Sequence, residues 1–130
     1  MKTYDLIIIG AGPAGLAAGI YAGRAMLETL IIEKDIEGGQ ILQTSEIENY
    51  PGSLEVESGP TLIDRMDAQV NKFGVEKMTA TVTDVVLDGQ VKAVKCGKEI
   101  FQAKTIIIAG GAAAVPLGIE GEEKFRGRGL

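Results

Sequence analysis

Three glycines, Gly10, Gly12 and Gly15, stand in the spacing G-x-G-x-x-G directly after a short apolar run at residues 6–9. A run of that length suits a strand buried on both faces of a parallel sheet. Where it ends, the chain has to turn sharply into a helix, and each glycine has its own task in the turn. Gly10 permits the tight bend, Gly12 lets a pyrophosphate approach the backbone, and Gly15 lets helix and strand pack closely. Pro13 suits the first helical turn, where an amide N–H would lack an intrahelical partner anyway. The free N–H groups there, together with the positive end of the helix dipole, make the turn an anion site.

The spacing alone is weak evidence, and its surroundings make it strong. The pattern predicts a helix over 13–26, with Gly15, Ala18, Gly19 and Ala22 forming a face small enough to lie close on a sheet. A second apolar run at 30–32 ends in Glu33. A carboxylate at the end of that strand can accept hydrogen bonds from both ribose hydroxyls of an adenosine, and its charge repels a 2′-phosphate. The site should therefore reject NADP.

Beyond Glu33 the pattern of a simple dinucleotide fold stops. Residues 34–58 show little periodicity and form a long connection for a compact domain, and loops of that length are usually functional or disordered. Within it, Gly38, Gly39 and Gln40 offer bare backbone and a side-chain amide that both donates and accepts. Residues 49–52 have the turn grammar of Pro51 followed by Gly52. Ser58 and Pro60 then open a helix whose apolar positions Leu62, Ile63, Met66, Val70 and Phe73 recur at helical spacing, a stripe better read as core than as site. Residues 81–87, 91–94 and 100–101 read as three short antiparallel strands joined at Asp88-Gly89 and Gly97, and 105–109 reads as a further buried strand.

With a net charge of −5, the chain is a poor match for nucleic acid or acidic membranes, and no apolar run reaches the length of a membrane span. A cytoplasmic protein is expected. One cysteine and no histidine exclude disulfide frameworks, His/Cys metal sites and histidine acid–base catalysis within these residues. Cys96 falls in an expected meander turn where flanking lysines would favour thiolate, and without a second thiol it reads as incidental.

The glycine turn, Glu33, Gly38-Gly39-Gln40 and the run Thr44-Ser-Glu-Ile-Glu-Asn-Tyr-Pro-Gly52 together resemble the FAD-binding part of bacterial thioredoxin reductases, members of the pyridine nucleotide-disulfide oxidoreductases. The resemblance reaches the end of the chain, where residues 118–129 are similar to the segment leading out of the family's FAD domain. It implies an α/β fold: a Rossmann-like FAD-binding domain with a central parallel sheet and a three-stranded antiparallel meander covering one face. It also implies that Gly12, Pro13 and Ala14 meet the pyrophosphate, that Glu33 holds the adenosine ribose, and that Gly39, Gln40 and Asn49 lie along the flavin and ribityl chain. Val82 would flank the adenine by its backbone, and Ala109 and Gly110 would end the strand beside the cofactor. Relatives usually have Ala-Thr-Gly where this chain has Ala109-Gly110-Gly111, so one hydroxyl near the cofactor is lost.

In that family, electrons pass from NADPH through FAD to a redox disulfide and on to thioredoxin. These 130 residues hold no Cys-x-x-Cys and no second glycine fingerprint for NADPH. The expected division is an FAD-binding domain over 1–117 and a crossover linker over 118–130, with the C-terminal part of the family's domain missing. Such a chain should self-associate or need a complementing chain. Three readings follow: the FAD-binding portion of a thioredoxin-reductase-like enzyme, part of a disulfide-free flavoprotein such as a thioredoxin-reductase-like ferredoxin–NADP reductase, or a non-catalytic dinucleotide-binding fragment.

Overall fold

A computed structural model of the chain describes residues 2–53, 55–125 and 127–128. Arg126, Gly129 and Leu130 of the expected linker lie outside the described residues. The apolar run after the N-terminus forms strand β1, Thr3–Ile9, which passes through Gly10 into helix α1, Pro13–Arg24. The helix stops two residues short of the expected Met26, which adopts a left-handed φ of 59° and turns the chain back toward the sheet. Strand β2, Thr29–Glu33, follows and pairs parallel with β1.

The long connection is folded rather than loose. A 3-10 turn at Gly39–Gln43 and an isolated antiparallel bridge between Ile47 and Glu57 give it internal structure. The expected turn closes with the Ser53 N–H donating to the Tyr50 carbonyl at 3.2 Å. Helix α2, Gly59–Lys72, opens on a capping box in which Ser58 and Thr61 satisfy each other's backbone N–H groups. A strand unforeseen in the sequence, β3 (Glu76–Thr79), then pairs parallel with β2. Its residues Glu-Lys-Met-Thr carry no apolar alternation, because an edge strand needs only one buried side and tolerates charge.

Strands β4 (Asp84–Val86), β5 (Lys92–Cys96) and β6 (Glu99–Ile108) run antiparallel to one another in turn, as the meander requires. The third of them differs from expectation. The segments at 100–101 and 105–109 are one continuous ten-residue strand, antiparallel to β5 through its first half and parallel to β1 through its second. All six strands therefore belong to one sheet in the order β3-β2-β1-β6-β5-β4.

Two cores result, one on each face. On the first, α1 and α2 cover Leu6, Ile8 and Ile31, with Leu16, Ile63 and Val70 filling the space between. On the second, the meander curls over so that Val94, Cys96 and Ala103 pack with Tyr4, Ile7, Leu30 and Ile32. Cys96 thus ends a strand in this core and is not in an exposed turn. Burial, followed by the nearby charge of Glu99, pushes its thiol up, so the expectation of a thiolate is corrected. Among the described residues no helix is long and apolar enough to cross a membrane, and no cluster of metal-ligating side chains occurs.

Candidate functional site

The site forms where β1 and β6 end side by side, at a point where the sheet order departs from sequence order; crevices for ligands in such sheets open there. Gly10 takes φ 103°, a conformation reserved in practice for glycine, and a Cβ there would lie 2.3 Å from the Ala109 carbonyl oxygen. Its N–H donates to the Ile32 carbonyl at 2.8 Å, and the Ala109 N–H donates to Ile9 at 2.8 Å. Three strand ends are thereby tied together beneath the turn.

Gly15 and Gly12 have separable surroundings. A Cβ on Gly15 would stand 1.8 Å from the Gly10 carbonyl oxygen, so helix and turn touch backbone to backbone. A Cβ on Gly12 would meet only the Gly38 oxygen, at 3.8 Å, an ordinary contact. The one glycine is required by packing, whereas the fold leaves space at the other. Gly12 is the N-cap of α1 and makes no side-chain cap, and the first turn contains no acidic residue. The first intrahelical bond is Leu16 N–H to Gly12 oxygen at 2.9 Å, so Ala14 and Gly15 sit in the turn whose amides the helix itself leaves without acceptors. Among the described residues no side chain caps that electropositive end.

Glu33 lies beside the turn, at the last residue of β2. Its Oε2 accepts the Ala11 N–H at 2.7 Å, and its Oε1 accepts the Lys34 and Asp35 N–H groups at 2.8 and 3.2 Å. A carboxylate offers about four lone-pair positions. Oε2 therefore keeps one free, while a second incoming hydroxyl has to displace the long Asp35 contact at Oε1. The backbone donors hold the carboxylate still and half-exposed.

Facing Gly12 is the corner at Gly38 and Gly39. The Gly38 N–H donates to the Ala11 carbonyl at 2.8 Å, and a Cβ on Gly39 would lie 4.0 Å from the Gly12 Cα. The Gln40 side-chain amide donates to the Ala112 carbonyl, joining the 3-10 turn to the loop after β6. The structure thus gathers Gly10, Gly12, Pro13, Ala14, Gly15, Glu33, Gly38, Gly39, Gln40, Ala109 and Gly110 around one crevice. Among the described residues no hydrogen bond ties Asn49 or Val82 to the glycine turn. Asn49 is exposed ahead of the Tyr50 turn, and Val82 packs at the rim of the second core. Ala11 is the residue that sequence reasoning missed. It is 1% exposed, its N–H fixes Glu33 and its carbonyl fixes Gly38. Its role is carried by backbone alone, so its methyl side chain gave no signal beyond its place between two glycines.

The pyridine nucleotide-disulphide oxidoreductase profile matches residues 4–130. The chain belongs to this family. It is 49% identical over 129 residues to a thioredoxin reductase of Peptoclostridium acidaminophilum and 44% identical to one of Bacillus subtilis, covering 99% of this chain in both cases. It spans 41% and 40% of the length of those two relatives. Among solved structures, the thioredoxin reductase of Lactococcus lactis superposes with a TM-score of 0.88 at 41% identity, over 97% of this chain and 41% of that one. That of T. acidophilum gives 0.86 at 25% identity. The α/β architecture, with its mixed sheet and three-stranded meander, is the one expected from the sequence.

Proposed function

We propose that this chain is the FAD-binding portion of a thioredoxin-reductase-like flavoenzyme of the pyridine nucleotide-disulphide oxidoreductase family. The observation that carries the reading is the uncapped N-terminus of α1, opened at Gly12, faced by Gly38 and Gly39 and flanked by the immobilised Glu33. The residues fit the ADP half of a dinucleotide. The Ala14 and Gly15 amides take pyrophosphate oxygens, and Pro13 presets the turn that presents them. Glu33 Oε2 accepts one ribose hydroxyl directly, and Oε1 accepts the other by releasing the Asp35 amide. Gly39, Gln40 and Asn49 lie along the flavin side, Val82 borders the adenine, and Ala109 and Gly110 close the far wall.

FAD, when bound, supplies the two-electron carrier between a nicotinamide and a disulfide. With one cysteine among these 130 residues, the redox pair and the NADPH site have to come from outside them. Residues 1–117 are then the cofactor unit and 118–130 the way out toward those parts. Thioredoxin is the acceptor that the relatives' names suggest.

Titration of the protein with FAD, ADP and 2′-phospho-ADP tests the reading. ADP should bind more tightly than its 2′-phosphorylated form, and Glu33→Ala should weaken ADP by about 1–3 kcal/mol, the range for hydrogen bonds to a charged group. Gly12→Val should abolish binding while the circular dichroism melt stays close to that of the parent. Equal affinity for the two adenosine ligands would overturn the role of Glu33, and a Gly12→Val variant that still binds FAD would overturn the site.

A further inference from the structure

The corner at Gly38 and Gly39 poses a problem of rigidity. Both residues have positive φ, 115° and 63°, and glycine, with no Cβ, has the widest conformational freedom there. Yet this corner has to hold still opposite Gly12. From one side Gly38 is held by its bond to Ala11 and by the close approach of Leu42 and Ile63. From the other side, the residue immediately before it, Glu37, enters a cluster of three charged groups drawn from three elements. Lys77 on β3 reaches both Glu37 oxygens, Oε1 at 3.0 Å and Oε2 at 3.1 Å, and also donates to Asp67 on α2. Asp67 is steadied in turn by the Asn71 side-chain amide at 2.8 Å. All three charged side chains are largely enclosed, and among the described ion pairs Lys77, 22% exposed, is more enclosed than Lys2, Lys95 or Lys104.

The cluster does not hold its three members equally well. Burial and the neighbouring Asp67 push the Glu37 carboxyl up in spite of the lysine beside it, whereas against their own burial Asp67 is held down by Lys77 and Glu37, and Lys77 is held up by both carboxylates. The Lys77–Asp67 pair is the firm part of the cluster and Glu37 the arm it holds, so what the cluster imposes on the loop is geometry. That geometry is a three-way clamp joining the loop after β2, helix α2 and the edge strand, with its loop arm one residue from the soft corner.

We propose that Lys77 is a positioning residue of the nucleotide site: by clamping Glu37 to Asp67 it fixes the Gly38–Gly39 backbone opposite Gly12. This inference rests on the reading of the glycine turn as a pyrophosphate site, and it adds the part of the protein that sets the width of that site. Nothing in the glycine fingerprint specifies Lys77, which lies far from it in sequence on a different strand.

The test uses the full chain and three substitutions. Lys77→Met keeps the aliphatic stem and removes the charge, Lys77→Arg keeps the charge, and Lys104→Met breaks the exposed Lys104–Asp5 pair as a control remote from the site. Amide hydrogen exchange is read at Gly38 without ligand, alongside amides of β5, and ADP affinity is read by calorimetry. Lys77→Met should speed Gly38 exchange and weaken ADP about three- to thirtyfold, the span of energies that one packed network transmits, while β5 amides stay as in the parent. Lys77→Arg should restore most of both, and Lys104→Met should change neither. If Lys77→Met does not fold, Glu37→Gln releases the same loop arm and carries the same expectations. Unchanged Gly38 exchange, exchange raised equally throughout the sheet, or unchanged ADP affinity would each overturn the proposal alone. A parent protein that binds neither ADP nor FAD would overturn the nucleotide reading and the proposal with it, whatever the exchange shows.

Discussion

Ile7, Ile8 and Ile9 on β1 stand in parallel register opposite Ile106, Ile107 and Ile108 on β6, the same three residues side by side in one sheet. Ile7 and Ile8 are fully buried, whereas Ile107 is 40% and Ile108 66% exposed. Composition and pairing to each other are shared, so neither explains the difference. β1 has β2 on one edge and β6 on the other, helices over one face and the meander over its opposite face. The second half of β6 has β1 on one edge only, because its pairing with β5 ends at Ala103. A triple isoleucine thus announces that a strand is built for burial, but what covers it comes from elsewhere. Ile106 packs at the rim of the second core, and for Ile107 and Ile108 that cover is absent among the described residues.

The glycines give the sharpest way to test this contrast. Gly15 in the closed half has no room for a side chain, and Gly110 in the open half has nothing within 4 Å of a Cβ. Gly15→Val should cost more than about 4 kcal/mol and leave little folded protein, since backbone and not a flexible side chain stands in the way. Gly110→Ala should be neutral or stabilise by about 0.4–1 kcal/mol through the unfolded chain. Urea denaturation of both variants decides it, and comparable losses would mean that the two halves are equally tight.

The paired isoleucines come next. Ile8→Ala should destabilise by about 2–5 kcal/mol, and Ile108→Ala by less than about 0.5 kcal/mol. A loss at Ile108 as large as that at Ile8 would show that this strand end is covered in solution. An open apolar strand end also has a concentration-dependent consequence: each 100 Å² of apolar surface withheld from water on association is worth about 2.5 kcal/mol. Sedimentation over a range of concentrations should show self-association, reduced by Ile108→Lys. A monodisperse parent indistinguishable from that variant would remove the open half as a sticky surface.

The smallest effect is electrostatic and joins the two strands directly. Lys104 on β6 bonds Asp5 on β1 at 2.7 Å, and the Glu28 N–H donates to the same carboxylate at 3.0 Å. These partners, the lysine first, hold the Asp5 carboxyl below its ordinary range. A carboxyl depressed in the folded state contributes stability above its unfolded pKa of about 3.9 and loses it as pH falls through the lower folded value. Asp5→Asn should therefore be slightly less stable than the parent at pH 7 and converge with it on acidification below about pH 3. A gap between the two melting curves that stays constant with pH would exclude the pair as its source.

Much of the closed half was legible in the sequence because its demands fall on side chains or on their absence. The glycine spacing, the small face of α1, Glu33 at a strand end and Ser58 at a helix start each leave a residue type where the physics needs it. The unread parts lack such marks. β3 is a polar edge strand, and β6 changes partners across Ala103, Lys104 and Thr105, where the polar break looks like a boundary. Ala11 acts through backbone alone, and the Glu37–Asp67–Lys77 cluster joins residues that only the folded loop brings together.

The unbroken course of β6 bears on how the protein opens. The strand is the last of the meander and a member of the parallel sheet at once, with no joint at which one could peel from the other. Local unfolding tends to follow units separated by such joints. Here the lid over the second core and the floor beneath it are the same ribbon, so fluctuations large enough to expose Ile7 or Ile32 have to disrupt both together. The glycine turn at the end of that ribbon, tied to it where the Ala109 N–H donates to the Ile9 carbonyl, should therefore open only when the ribbon does.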